Sequence, residues 1–213
     1  MNAMRAGIRI AAFAALGGFA FVSLGHLHLV GNTSPVPAVG AVLWLLSCLS
    51  IARANPPGQA RRLVVMTLAV AAALLTASIV GLLVNDTLYP DVLASLAFLA
   101  ILQCFAATIA ELAYDLHETE LERAWETTGR LLVVVDVASV LLALAWAANV
   151  VERRSYGRFR LTEVGLAPVG TSGRLCLAVF TIVAAVGGAH FVLSAWRTWS
   201  WARRTDETAP IAS

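Results

Sequence analysis

Long apolar runs separated by short polar stretches dominate the chain. Six stand out, at residues 10–30, 37–52, 63–84, 92–113, 131–151 and 175–196. Each approaches the ~20 residues that cross a ~30 Å hydrocarbon core as a helix. Lipid offers the backbone no hydrogen-bond partner, so such segments must be helices or closed barrels, and long runs without alternation are helices. The pattern predicts an all-α, polytopic integral membrane protein, a six-transmembrane-helix bundle forming a single domain over 1–213. The second run is the shortest, and Pro35 and Pro37 suit its start. The first follows Arg5 and Arg9 as a signal peptide would, but its apolar core exceeds the usual ~7–15 residues, so it is read as a span.

Two polar connections exceed a simple turn. Residues 111–130 hold six acidic residues and two arginines and read as the fourth helix running on into the cytoplasm, stopping near Gly129. Asp115, Glu118 and Glu122 then share one face of that acidic helical extension by i, i+3 and i+4 spacing, a candidate contact face for a cation or a basic partner. Residues 152–174 form the opposite, outer loop, in which 158–164 alternate polar and apolar like a short strand. Arginine bias gives the orientation. With the N-terminus inside, ten arginines fall on the cytoplasmic side and five fall outside, all of them within 152–174. Both termini are therefore expected in the cytoplasm, with Trp196, Trp199 and Trp201 in the inner aromatic belt and Tyr89 in the outer one.

Composition narrows the class. The chain is 59% hydrophobic and only 13% charged, against about a quarter charged in soluble domains. All fifteen basic residues are arginine. Together with the abundant alanine and glycine, this points to a GC-rich genome and a bacterial plasma (inner) membrane. A net charge of +2 with no basic stripe argues against nucleic acid as a partner. Cys48, Cys104 and Cys176 show no metal or redox spacing and read as small hydrophobes.

The stretch VGGAHFVLSAW, residues 186–196, puts a histidine behind two glycines inside an apolar run. Counted at ~1.5 Å per residue from Arg197, His190 lies roughly 10 Å inside the cytoplasmic boundary. Asp136, counted from Arg130, lies roughly 9 Å inside it, and Gln103 on the fourth run falls near that level. The three form a candidate intramembrane polar cluster, either a static staple between helices or a proton or ion relay. Gly17 and Gly18 lie at a similar depth to Gly187 and Gly188, which predicts that the first and sixth helices pack at these glycine pairs. Ala11, Ala14, Gly18 and Gly25 line one face of the first helix.

Other chemistry finds little support. Haem ligation needs two histidines at matching depth, and His26, His28, His117 and His190 supply no such pair. His26 and His28 point about 200° apart on a helix and cannot share a metal. No GxSxG, Walker or dinucleotide glycine motif occurs. No cofactor, metal site or catalytic residue is implied. The leading expectation is an accessory or assembly subunit of a membrane complex, with the lipid bilayer and another membrane protein as partners. A small permease or channel using Asp136 and His190 is the alternative, and an intramembrane enzyme the third class.

Overall fold

The computed structural model describes residues 2–26, 35–83, 88–154 and 171–207. They form six helices, α1 (Asn2–His26), α2 (Val36–Arg53), α3 (Gly58–Leu83), α4 (Leu88–Asp115), α5 (Thr119–Arg154) and α6 (Thr171–Glu207). Among the described residues there is no strand, and the alternating 158–164 segment lies outside them. Five helices are long and apolar enough to cross a membrane, over Met4–Ser23, Val36–Arg53, Gly58–Leu83, Leu93–Asp115 and Leu177–Arg204. The remaining one, α5, is helical through the whole apolar run 131–151 and carries Glu120, Glu122 and Glu126 in the turns before it. The protein is an all-α, multi-pass helical membrane bundle.

Local chemistry explains where these helices start and stop. Prolines occupy the first turn of α2, where an amide hydrogen has no intrahelical partner to lose. At its other end Asn55 takes a left-handed conformation (φ 49°) and its amide bonds back to the Ala52 carbonyl at 3.0 Å. Pro56 follows and cannot continue the helix. Gly58 then opens α3 at φ +51°, with nothing within 4 Å of where a Cβ would sit, so the backbone alone calls for glycine there.

The acidic connection is corrected by the structure. α4 does not run on to Gly129; it stops at Asp115, and the following acidic residues begin α5. The stop is a Schellman closure built on a histidine. His117 sits at φ 59°, its amide bonds to the Tyr114 carbonyl (2.9 Å), and the Glu118 amide reaches back to the Ala113 carbonyl (2.9 Å). The Glu118 carbonyl in turn accepts from Glu122 (3.0 Å) as α5 begins. Glu120 and Glu122 lie in that first turn, where carboxylates complement the positive end of the helix dipole. Asp115, Glu118 and Glu122 therefore occupy a helix end, a cap and a new helix start rather than one helical face.

The chain divides into two compact units, Met1–Gly129 with His190–Ser213, and Arg130–Ala189. In the first, α1 packs along α2, α2 on α3 and α3 on α4. Its centre is aromatic, with Trp44, Phe105, Trp125 and Phe191 all fully buried. Phe191 is the hub, with ring centroids 5.2 Å from Phe19, 5.5 Å from Trp125, 5.9 Å from Trp44 and 6.2 Å from Phe105. These stacked, tilted and edge-on separations are ones at which aromatic pairs gain beyond mere burial. In the second unit, Leu132, Val135 and Ala138 of α5 are buried. Val133, Val134, Val137, Val140 and Leu141 are each more than half exposed, an apolar stripe suited to lipid.

The glycines of α1 meet α2. A β-carbon on Gly18 would lie 2.8 Å from Trp44 Cδ1 and 3.1 Å from the Gly40 carbonyl, and one on Gly17 would lie 3.0 Å from Leu43 Cδ1. One on Gly187 would lie 2.9 Å from Val135 Cγ2 of α5, while Gly188 beside it is half-buried. Gly18 thus makes a notch for α2 in the first unit and Gly187 a notch for α5 in the second. Small residues admit a close neighbour but carry no label saying which helix it is.

Candidate functional site

A chain of hydroxyls beside the aromatic hub joins the start of α5 to the end of α6. On α6 the buried positions Phe191, Ser194, Ala195, Thr198 and Ala202 recur every three or four residues, and on α5 Leu121, Trp125, Thr128 and Leu132 do the same. Polar members of both stripes consequently face protein, where each must find a hydrogen-bond partner. The Trp125 indole N–H donates to Thr198 Oγ1 (2.8 Å), and the Thr198 hydroxyl donates to the Ser194 carbonyl (2.8 Å). Thr128 Oγ1 lies 2.8 Å from His190 Nδ1 and 2.9 Å from Ser194 Oγ, while Ser194 Oγ stands 3.4 Å from the same ring nitrogen.

Counting hydrogens assigns the ring. A threonine hydroxyl has one hydrogen, and Thr128 donates it to the Ala124 carbonyl at 2.9 Å. With that hydrogen on the Ala124 carbonyl, Thr128 accepts from its other neighbours, the arrangement in which Nδ1 of His190 carries a hydrogen and Ser194 directs its own to Thr128. Neutral His190 is therefore the Nδ1–H tautomer, with the lone pair on Nε2. The ring is half-buried, and among the described residues its hydrogen bonds go only to Thr128 and Ser194.

The structure places the other predicted residues as follows. Gln103 is half-buried on α4 in the first unit, and Asp136 is half-buried on α5 in the second. Asp136 stands eight residues beyond Thr128 on the same helix, roughly 12 Å along its axis. His190 sits level with Thr128, two residues before Arg130. Asp115 is exposed, and Glu118 and Glu122 are half-buried at the α4–α5 turn.

Trp125 and Thr128 escaped sequence reasoning because residues up to Gly129 were read as extramembrane, and Thr198 because it follows the sixth run. The signal was present on α6, where His190, Ser194 and Thr198 recur at four-residue spacing. Similar hydroxyl ties hold the other helices of this unit. Ser47 Oγ of α2 donates to the Ala11 carbonyl of α1 (2.8 Å), and Thr67 of α3 meets Thr108 of α4 at 3.1 Å. Among the described residues no three His, Cys, Asp or Glu side chains converge as metal ligands do.

The chain matches no protein-family model, no curated protein and no solved structure.

Proposed function

We propose that the protein is an accessory or assembly subunit of a membrane complex, a helical scaffold that holds its shape while a partner docks on its polar turns. The observation that carries this reading is the use made of intramembrane polar groups. Ser47, Thr67, Thr108, Trp125, Thr128, Ser194 and Thr198 all bond from one helix to another. Interhelical hydrogen bonds of this kind fix helix arrangement in lipid, where burial of apolar surface gives no preference for one neighbour over another. The α4–α5 turn, with Asp115 and Glu120 exposed, offers a basic partner its contact surface. On this reading the protein resides in a bacterial plasma membrane with both termini cytoplasmic. Reporters fused to the two ends should then label the same side, and opposite sides would mean that α5 does not cross.

Extraction from the native membrane in mild detergent, followed by native mass spectrometry, tests the proposal. A second polypeptide should co-migrate, and reversing Glu120 and Glu122 to lysine should release it. A lone chain that retains a small molecule would overturn the assignment. The half-buried His190 ring, set among hydroxyls, favours one competing reading, a small permease or channel that relays protons through His190 and Asp136. Under that reading Asp136→Asn abolishes pH-dependent uptake into proteoliposomes, whereas a scaffold tolerates the change.

A further inference from the structure

Arg5 lies in the first turns of α1 with its side chain largely withdrawn from water. Its guanidinium sits 5.7 Å from the centroid of the Trp201 ring on α6, and its Nε is fully buried without a hydrogen-bond partner. Among the described residues no carboxylate pairs with it. An indole face attracts a cation but cannot neutralise it, and a guanidinium taken this far out of water calls for an anion. The surroundings add positive charge. Arg9 follows one turn along α1, and Arg203 lies over Trp199 on α6 with its guanidinium 5.8 Å from the ring centroid.

The position of this cluster selects the anion. The stretch of α1 apolar enough to cross a membrane begins at Met4 and that of α6 ends at Arg204, so Arg5 and Trp201 lie at the ends of both stretches. Trp196 and Trp199, with tilted rings 4.8 Å apart, lie close by, as interfacial indoles do. Below the arginines the chemistry changes in the order a lipid requires. Arg5, Arg9 and Phe13 follow one another at four-residue spacing, and Phe13, like Ile10 beside it, is more than half exposed. A phosphate at the arginines would have acyl chains running over exposed apolar side chains. Beyond the assembly role, we propose that Arg5 and Trp201, with Arg9 a turn further in, form a binding site for the phosphate of an anionic phospholipid headgroup.

Native mass spectrometry of the delipidated full-length protein in micelles tests this with three probes. These are dioleoyl phosphatidylglycerol, dioleoyl phosphatidylcholine and inorganic phosphate. The wild type should retain phosphatidylglycerol in preference to phosphatidylcholine. Arg5→Gln should weaken retention of the anionic lipid about fivefold, the effect of one basic residue at an anionic surface. Arg5→Lys should keep most of it, and Arg62→Gln, at an exposed arginine on α3, should leave it unchanged. Equal retention of the two lipids by the wild type, a measurement that needs no variant, would overturn the proposal. Displacement of the lipid by millimolar inorganic phosphate would reassign the site to the free anion and overturn it equally. A several-fold rise in retention on Asp206→Asn would show that an acid of α6 already neutralises Arg5, with the same consequence.

Discussion

Two interfaces in the first unit are made of opposite materials. α1 meets α2 where side chains are missing, with Gly7, Gly18 and Gly40 letting backbone approach backbone. The end of α6 meets its neighbours through the bulkiest side chains in the chain, with Phe191 in a cage of rings and a row of hydroxyls beside it. In lipid, apolar burial does not favour one helix neighbour over another, and selectivity must come from close packing or from hydrogen bonds. The α1–α2 interface uses the first route, with a tie from Ser47 to the Ala11 carbonyl, whereas α5 and α6 combine both. One interface fails when something is added, the other when something is removed.

That contrast orders the expected effects. Phe191→Ala should be the most damaging change. Emptying a fully enclosed aromatic site costs about 3–5 kcal/mol, read as a loss of unfolding free energy in mixed micelles. Gly40→Ala comes next. Its new methyl would lie 2.7 Å from Val22 Cγ2 and 2.8 Å from the Val22 backbone nitrogen. The side chain can yield but the backbone nitrogen cannot, and overpacking of this kind costs about 1–3 kcal/mol. If Gly40→Ala proved as harmless as alanine at an exposed helix position, the notch would not be a close contact.

Thr128→Val sharpens the other side of the comparison. It keeps the shape and removes the acceptor for His190, so the loss should be about 0.6–1.7 kcal/mol, the span of measured interhelical hydrogen bonds. Ring ¹⁵N shifts of labelled protein provide a second readout. In the wild type, neutral His190 should show protonated Nδ1 and bare Nε2, and Thr128→Val should relax this toward the opposite tautomer that free imidazoles prefer. Bare Nδ1 in the wild type would refute the hydrogen count. The smallest effect belongs to the α4–α5 turn, where His117→Gly should raise stability by about 0.5 kcal/mol, since glycine adopts the left-handed conformation without a Cβ penalty.

How much of this was legible in the sequence depended on whether the cause was local. Membrane helices followed from run length alone, since the backbone in lipid has no other recourse. The α2–α3 turn is written openly as Asn55-Pro56-Pro57-Gly58. The α4–α5 turn is not, because a histidine takes the place usually given to glycine and the surrounding acids suit a helix equally well. His190 was found, but its partner was not. Thr128 lies among residues whose charges suggested water, and only the register of α5 against α6 brings it to the ring. The glycines disclosed that helices come close there, and the identity of the neighbour is a property of the whole fold.

The location of Phe191 also has a consequence for how the protein is made. Helices enter the membrane in the order of synthesis, and Phe191 arrives only with α6, after the whole of Arg130–Ala189 has been built. Until then α1 to α4 must wait with Trp44 and Phe105 lacking the ring that packs against both. Nascent chains should consequently stay loosely assembled, open to insertases and membrane proteases, until the final helix locks the earlier ones. A stop codon between α5 and α6 would remove one crossing and, with it, the keystone of a core built from helices already in place.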